Sequence, residues 1–125
     1  MKSILVIDDD PLVGNLMQRM LHSDNWHVRL ACDGRDAIAQ ISDRAPDLIV
    51  TDILMPDMEG LEIISSLRKS HPHIRVIAVS GSGRGQAVDY LDYAEKLGAI
   101  ATLSKPFRRD ELLQAVQQAF GEPSV

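Results

Sequence analysis

The sequence predicts an α/β protein in which five helices cover a doubly wound, five-stranded parallel sheet of order 2-1-3-4-5. Three observations predict it. Ile4-Leu5-Val6-Ile7, Leu48-Ile49-Val50 and Val76-Ile77-Ala78-Val79 are short, continuous apolar runs rich in β-branched residues, the pattern of strands buried on both faces. Two further runs, Val28 to Cys32 and Ile100-Ala101-Thr102-Leu103, are mixed in polarity and suit the edges of the sheet. Helical patterns separate all five runs, and such alternation implies right-handed crossovers between parallel strands. With runs two and five at the edges, the topological switch point falls between strands one and three.

Each element follows from local chemistry. After the first strand, Pro11 suits the first position of a helix, and Leu12, Val13, Leu16, Met17, Met20 and Leu21 recur at helical spacing. In the second strand Val28, Leu30 and Cys32 alternate with Arg29 and Ala31, as on a strand with one less protected face. Asp33 then offers an N-cap to a helix carrying Ala37, Ile38 and Ile41. The third strand runs into Thr51-Asp52, and Pro56 forbids further regular pairing. The third helical stripe is Leu61, Ile64 and Leu67, the fourth Val88, Leu91 and Leu97, the fifth Leu112, Leu113, Val116 and Phe120. Ser80 to Gly85 is the main compositional break and reads as a loop, and Gly121 stops the last helix.

Composition bounds the function. A chain of 125 residues with 25% charged and 45% hydrophobic residues is one globular domain, long enough to bury a core. A net charge of -5, with Arg108-Arg109 a pair and not a patch, argues against a direct nucleic-acid partner. Cys32 is the single cysteine, so neither a disulfide framework nor a thiolate metal cluster is expected. Ile4 to Ile7 is too short for a signal-peptide core, and no apolar run approaches a membrane span, so a cytoplasmic location is expected. The glycine run Gly81-Ser82-Gly83-Arg84-Gly85 lacks the Lys-Ser/Thr of a phosphate-binding P-loop. His71 and His73 flank Pro72 in what reads as a surface turn, and Trp26, Tyr90 and Tyr93 as core-edge or partner-surface aromatics.

The chemistry concentrates at strand ends. Strand one ends in Asp8-Asp9-Asp10 and strand three in Asp52, so the inferred order brings two acidic ends together at the ligand-binding edge. Two unit charges about 4 Å apart repel by about 4 kcal/mol at an effective dielectric of about 20, and a hard divalent cation offsets that repulsion. Mg²⁺ is therefore assigned to Asp9 and Asp52, with Asp8 acting through water and the Leu54 backbone carbonyl as a further ligand. Asp10, just before Pro11, is read as a helix cap. Strands four and five end in Ser80 and Lys105-Pro106. A hydroxyl, an ammonium and Mg²⁺ around one carboxylate suit phosphoryl transfer, with Asp52 as nucleophile.

Ile7-Asp8-Asp9, Asp52-Ile53-Leu54-Met55-Pro56-Asp57-Met58-Glu59-Gly60, Ser80-Gly81 and Lys105-Pro106-Phe107, in that order, resemble the receiver domain of two-component response regulators, a CheY-like fold. The resemblance covers nearly the whole chain and implies a receiver domain over residues 1–121 with a tail at 122–125. It implies that Asp52 is the phosphoacceptor, Asp8 and Asp9 the acid pocket, Ser80 the switch hydroxyl and Lys105 the counter-charge. It further implies a phosphoryl donor, either a sensor histidine kinase or a histidine phosphotransfer protein, with at most slow self-hydrolysis. A downstream protein is expected on the face of helix four, strand five and helix five. The Lys105-Pro106 bond is often cis in relatives. Thr102 stands where relatives usually carry an aromatic, so an aromatic in-out readout is not expected, and the segment from Gly81 through Gly98 looks a few residues longer than usual.

Three competing readings make different demands. A haloacid-dehalogenase-like phosphatase would use Asp8 as nucleophile and Asp10 as general acid, but needs a later acidic pair for Mg²⁺ and leaves Asp52 idle. A flavodoxin-like cofactor binder needs a hydroxyl-rich loop where three carboxylates stand. A receiver-like scaffold that is never phosphorylated would need neither the acids nor Ser80 and Lys105.

Overall fold

The computed structural model describes residues 2–53, 60–80, 92 and 94–121, apart from the side chain of Leu61. Five parallel strands form one sheet: β1 (Lys2–Ile7), β2 (Trp26–Ala31), β3 (Leu48–Asp52), β4 (Arg75–Ser80) and β5 (Ala101–Ser104). Their order is β2-β1-β3-β4-β5, as the hydrophobic pattern predicts. The helices are α1 (Pro11–Leu21), α2 (Gly34–Asp43), α3 (Gly60–Ser70), α4, described over residues 94–97, and α5 (Arg109–Ala119). Two apolar layers sandwich the sheet. Met17 and Leu21 of α1 and Leu112 and Val116 of α5 pack with Ile4, Val6, Val50 and Val79 on one face. Ile41 of α2 and Ile63, Ile64 and Leu67 of α3 pack with Leu5, Ile7, Ile49 and Ala78 on the other. Side chains alternate across a strand, so successive residues of β1 and β3 serve opposite layers.

The helix starts obey the capping chemistry read from sequence. The Asp10 carboxylate accepts the Leu12 N–H at 3.0 Å with Pro11 following, and the Asp33 carboxylate accepts the Asp36 N–H at 2.7 Å. Of the six apolar residues on α1, Met17 and Leu21 are buried and Val13 and Met20 pack partly, but Leu12 and Leu16 are 80% and 51% exposed. The reason is Gly14. A Cβ there would lie 2.7 Å from Leu30 Cδ1, so the helix rests on β2 at its glycine and the Leu12/Leu16 edge turns outward. Ile38 on α2 is likewise 40% exposed.

Strand boundaries shift in two places. β2 ends at Ala31, which is fully buried against the α2/α3 layer, whereas Cys32 lies past the strand and is exposed. β5 begins at Ala101, and Ile100, 52% exposed, precedes it with its N–H bonded to the Val76 carbonyl. Trp26 is a core residue and not a core-edge or partner-surface aromatic: 4% exposed, it packs against Phe120 and its indole donates to the Leu21 carbonyl. His71 and His73 lie in the turn before β4, as expected. Leu54, the glycine loop, Val88, Tyr90, Leu91, Tyr93 and the 122–125 tail lie outside the described residues.

Candidate functional site

Parallel strands all end on one edge, so their last residues converge. Ile7 pairs with Thr51, Asp52 with Val79 and Ser80 with Ser104, which places Asp8, Asp52, Ser80 and Lys105 within one residue of the ends of four neighbouring strand segments. The Asp8 N–H donates to the Ala31 carbonyl, carrying β1 one residue further. Oxygens of Asp8, Asp9 and Asp52, one from each carboxylate, lie within 4.8 Å of one another. Asp8 and Asp52 are buried and Asp9 is exposed, so the cluster opens to solvent on one side.

Lys105 bridges the buried pair. Its ammonium donates to Asp8 Oδ2 at 2.9 Å and to Asp52 Oδ2 at 3.4 Å. Burial pulls this ammonium down, but the Asp8 hydrogen bond and the charges of Asp52 and Asp8 outweigh it and hold the group above the ordinary lysine value of 10.5. Lys105 therefore stays charged across the physiological range. The other Asp8 oxygen accepts the Asp10 N–H at 2.9 Å, which fixes the carboxylate from both ends. The Asp10 carboxylate itself is committed to capping α1.

The backbone is equally constrained. The Lys105 N–H donates to the Ser80 carbonyl at 2.7 Å, which draws the lysine to the end of β4, and the Lys105–Pro106 peptide is cis. Ser80 is fully buried. Beside the nucleophile candidate, the Ile53 N–H bonds to the Val79 carbonyl and the Gly60 N–H to the Ile53 carbonyl, both at 3.0 Å. Gly60 sits so close that a Cβ would lie 2.1 Å from the Asp52 carbonyl oxygen. The Thr51 hydroxyl, fully buried, donates to the same carbonyl at 2.9 Å.

All the acids read from the sequence, with Ser80 and Lys105, are thus at one edge; the Leu54 carbonyl lies outside the described residues. Gly60, in the motif after β3, and Thr51, directly before Asp52, are the site residues that sequence pattern leaves without a role. The signal is a fully buried hydroxyl directly after the apolar run Leu48-Ile49-Val50, inside the strand. Thr102, where an aromatic was absent, faces Glu95 of α4 through a hydroxyl–carboxylate contact of 3.5 Å.

The donor set fits a hard divalent cation. Three carboxylates face one ammonium, and oxygen ligands of which one is solvent-exposed suit an ion that keeps several waters. A family model described as the response regulator receiver domain matches residues 4–117. The transcriptional regulatory protein TrcR of Mycobacterium tuberculosis is 34% identical over 110 residues, 88% of this chain and 42% of that protein. The sporulation initiation phosphotransferase F of Bacillus subtilis is 28% identical, with 94% of this chain and 92% of that protein covered. The solved receiver domain of NtrX from Brucella abortus superposes with a TM-score of 0.88 at 31% identity, covering 96% of this chain and 99% of that one. The chain spans less than half the length of several curated relatives, among them TrcR.

Proposed function

The chain belongs to the response regulator receiver domain family, and from that premise we propose that Asp52 is its phosphoacceptor, with Asp8 and Asp9 as the acid pocket, Ser80 as the switch hydroxyl and Lys105 as the counter-charge. Receiver domains are signalling phosphoacceptors that work with histidine kinases or phosphotransfer proteins. The observation that supports the residue assignment is the convergence of three carboxylates and one ammonium on the end of β3. Asp52 is the member that stands beside both Lys105 and the end of β4.

The step is a group transfer. An Asp52 carboxylate oxygen attacks phosphorus, the donor's P–N bond, or P–O bond in a small acyl phosphate, breaks, and its electron pair stays on the leaving atom. The product is an acyl phosphate on Asp52. Lys105 holds a positive charge at the carboxylate and is placed to neutralise the incoming phosphoryl oxygens. Asp8, held by Lys105 and the Asp10 N–H, keeps the acid pocket rigid. Asp9 and Asp52, with Asp8 through water and the Leu54 carbonyl, would hold Mg²⁺, which supplies charge neutralisation for the transferring group when bound.

Phosphorylation adds about -1.5 to -2 charge where Ser80 ends β4, a local electrostatic change that can bias the neighbouring segments. The output is binding of a downstream protein to the α4, β5 and α5 face, in a domain spanning residues 1–121, and the setting is cytoplasmic. Among the described residues no helix is long and apolar enough to cross a membrane. Self-catalysed uptake and hydrolysis are at most slow, so the domain signals and is not an enzyme in the ordinary sense.

The test is incubation with Mg²⁺ and a small acyl phosphate, read by intact mass for wild type, Asp52→Asn and Asp8→Asn. One added phosphoryl group in wild type that is lost in Asp52→Asn upholds the assignment. Uptake that survives Asp52→Asn and disappears in Asp8→Asn overturns it.

A further inference from the structure

We infer that Thr51 is a positioning residue for phosphoryl acceptance: its hydroxyl fixes the Asp52 carbonyl, and with it the direction of the Asp52 carboxylate. The inference rests on the reading of Asp52 as phosphoacceptor. Pairing between β1 and β3 stops at Ile7 and Thr51, so Asp52 stands one residue past that ladder while remaining paired to Val79 on the other side. Rotation of the peptide that follows Asp52 would swing its carboxylate away from Lys105 and Asp9, and the Ile53 N–H bond to the Val79 carbonyl holds that peptide from its nitrogen.

Two contacts oppose that rotation at one atom. The Thr51 hydroxyl donates to the Asp52 carbonyl oxygen at 2.9 Å, and the Cα of Gly60 closes over the same oxygen so tightly that a Cβ would approach to 2.1 Å. Thr51 shares its strand face with Ile49, inside the α2/α3 layer, where a hydroxyl is costly to bury without a partner. Valine has the same shape and a stronger preference for that environment. A hydroxyl at this position is thus accounted for by the bond it makes, and that bond ends on the residue that carries the chemistry. The Thr51 hydroxyl bonds to the Asp52 backbone carbonyl, so it acts through Asp52.

The experiment measures acetyl phosphate uptake with saturating Mg²⁺ in wild type, Thr51→Val, Thr51→Ser and Asp52→Asn, as rate against donor concentration. Thr51→Val is expected to lower the limiting rate about tenfold, the kinetic equivalent of one hydrogen bond, with the half-saturating donor concentration unchanged. Thr51→Ser, which keeps the hydroxyl, restores the rate. A purely structural role would lower the limiting rate only in proportion to the folded fraction, read by circular dichroism on the same preparation, and would leave the rate per folded molecule at the wild-type value. A wild-type limiting rate in Thr51→Val overturns the inference, as does Thr51→Ser as slow as Thr51→Val. Uptake lost in Asp52→Asn but untouched by Thr51→Val refutes Thr51 alone, whereas uptake persisting in Asp52→Asn removes the phosphoacceptor reading and this inference with it. Should Thr51→Val not fold, Thr51→Ala in the same assay carries the same expectations.

Discussion

Gly60→Ala is the perturbation whose size the structure fixes most directly. The added Cβ would stand 2.1 Å from the Asp52 carbonyl oxygen and 2.5 Å from Ile53 Cα, both backbone atoms that no rotamer change can move aside. Real Cβ contacts essentially never fall below 3.0 Å, so the start of α3 must retreat from the end of β3 by close to an ångström. That retreat pulls on the Gly60 to Ile53 hydrogen bond and on the packing of Ile63 and Ile64 beneath it. Overpacking of this kind costs about 1–3 kcal/mol, and more when the clash is with backbone. A displacement of about 1 Å in a reacting group can slow a positioned reaction by about 100-fold. The expected result is a midpoint in urea lowered by the equivalent of about 3 kcal/mol, together with phosphoryl uptake slowed far beyond what partial unfolding explains. Urea denaturation followed by circular dichroism and uptake by intact mass read the two effects on the same preparation. A Gly60→Ala protein within about 0.5 kcal/mol of wild type, taking up phosphoryl at the wild-type rate, would refute the view that Gly60 is there to let α3 reach the Asp52 carbonyl.

Other outcomes follow from the same contacts. Lys105→Met removes the ammonium from a buried Asp8 and is expected to cost about 1–3 kcal/mol near neutral pH without divalent cation, discounted from the fully buried case because Lys105 is partly exposed. Because its folded pKa is raised above 10.5, the Lys105 contribution is fully present below that value and disappears as pH rises through the folded one. The stability gap between wild type and Lys105→Met in urea should hold from pH 7 to 9 and narrow at pH 11 and above. Asp10→Ala loses the bond to the Leu12 N–H and should cost about 1 kcal/mol by thermal denaturation while uptake continues, since only the phosphatase alternative needs that carboxylate. Mg²⁺ should raise the melting temperature of wild type by mass action, and Asp9→Asn should weaken that rise; a chelator should stop uptake altogether. A melting temperature indifferent to Mg²⁺ would argue against the acid cluster as its site.

Much of this architecture follows from short stretches of chain. Element type, order and sheet topology came from two periodicities and from which runs are apolar throughout. The caps at Asp10 and Asp33 came from residue chemistry within one helical turn. The placement of the acids also follows, because a parallel sheet presents every strand's last residue on the same edge. Periodicity and capping are properties of neighbours in sequence, where the physics is short-ranged.

What only the tertiary structure decided depends on residues far apart along the chain. Which edge of α1 is buried was set by Gly14 against Leu30, so six apolar residues at helical spacing could not reveal that Leu12 and Leu16 face out. Lys105 sits nearer to Asp8 than to Asp52, at 2.9 against 3.4 Å, a choice between partners 97 and 53 residues away that side-chain packing at the strand ends decides. The meeting of Thr51 and Gly60 at one carbonyl oxygen is of the same kind. Hydrophobic pattern selects layers and topology, but the rotation of a helix about its axis and the last ångström between strand ends are fixed by close packing of the assembled core.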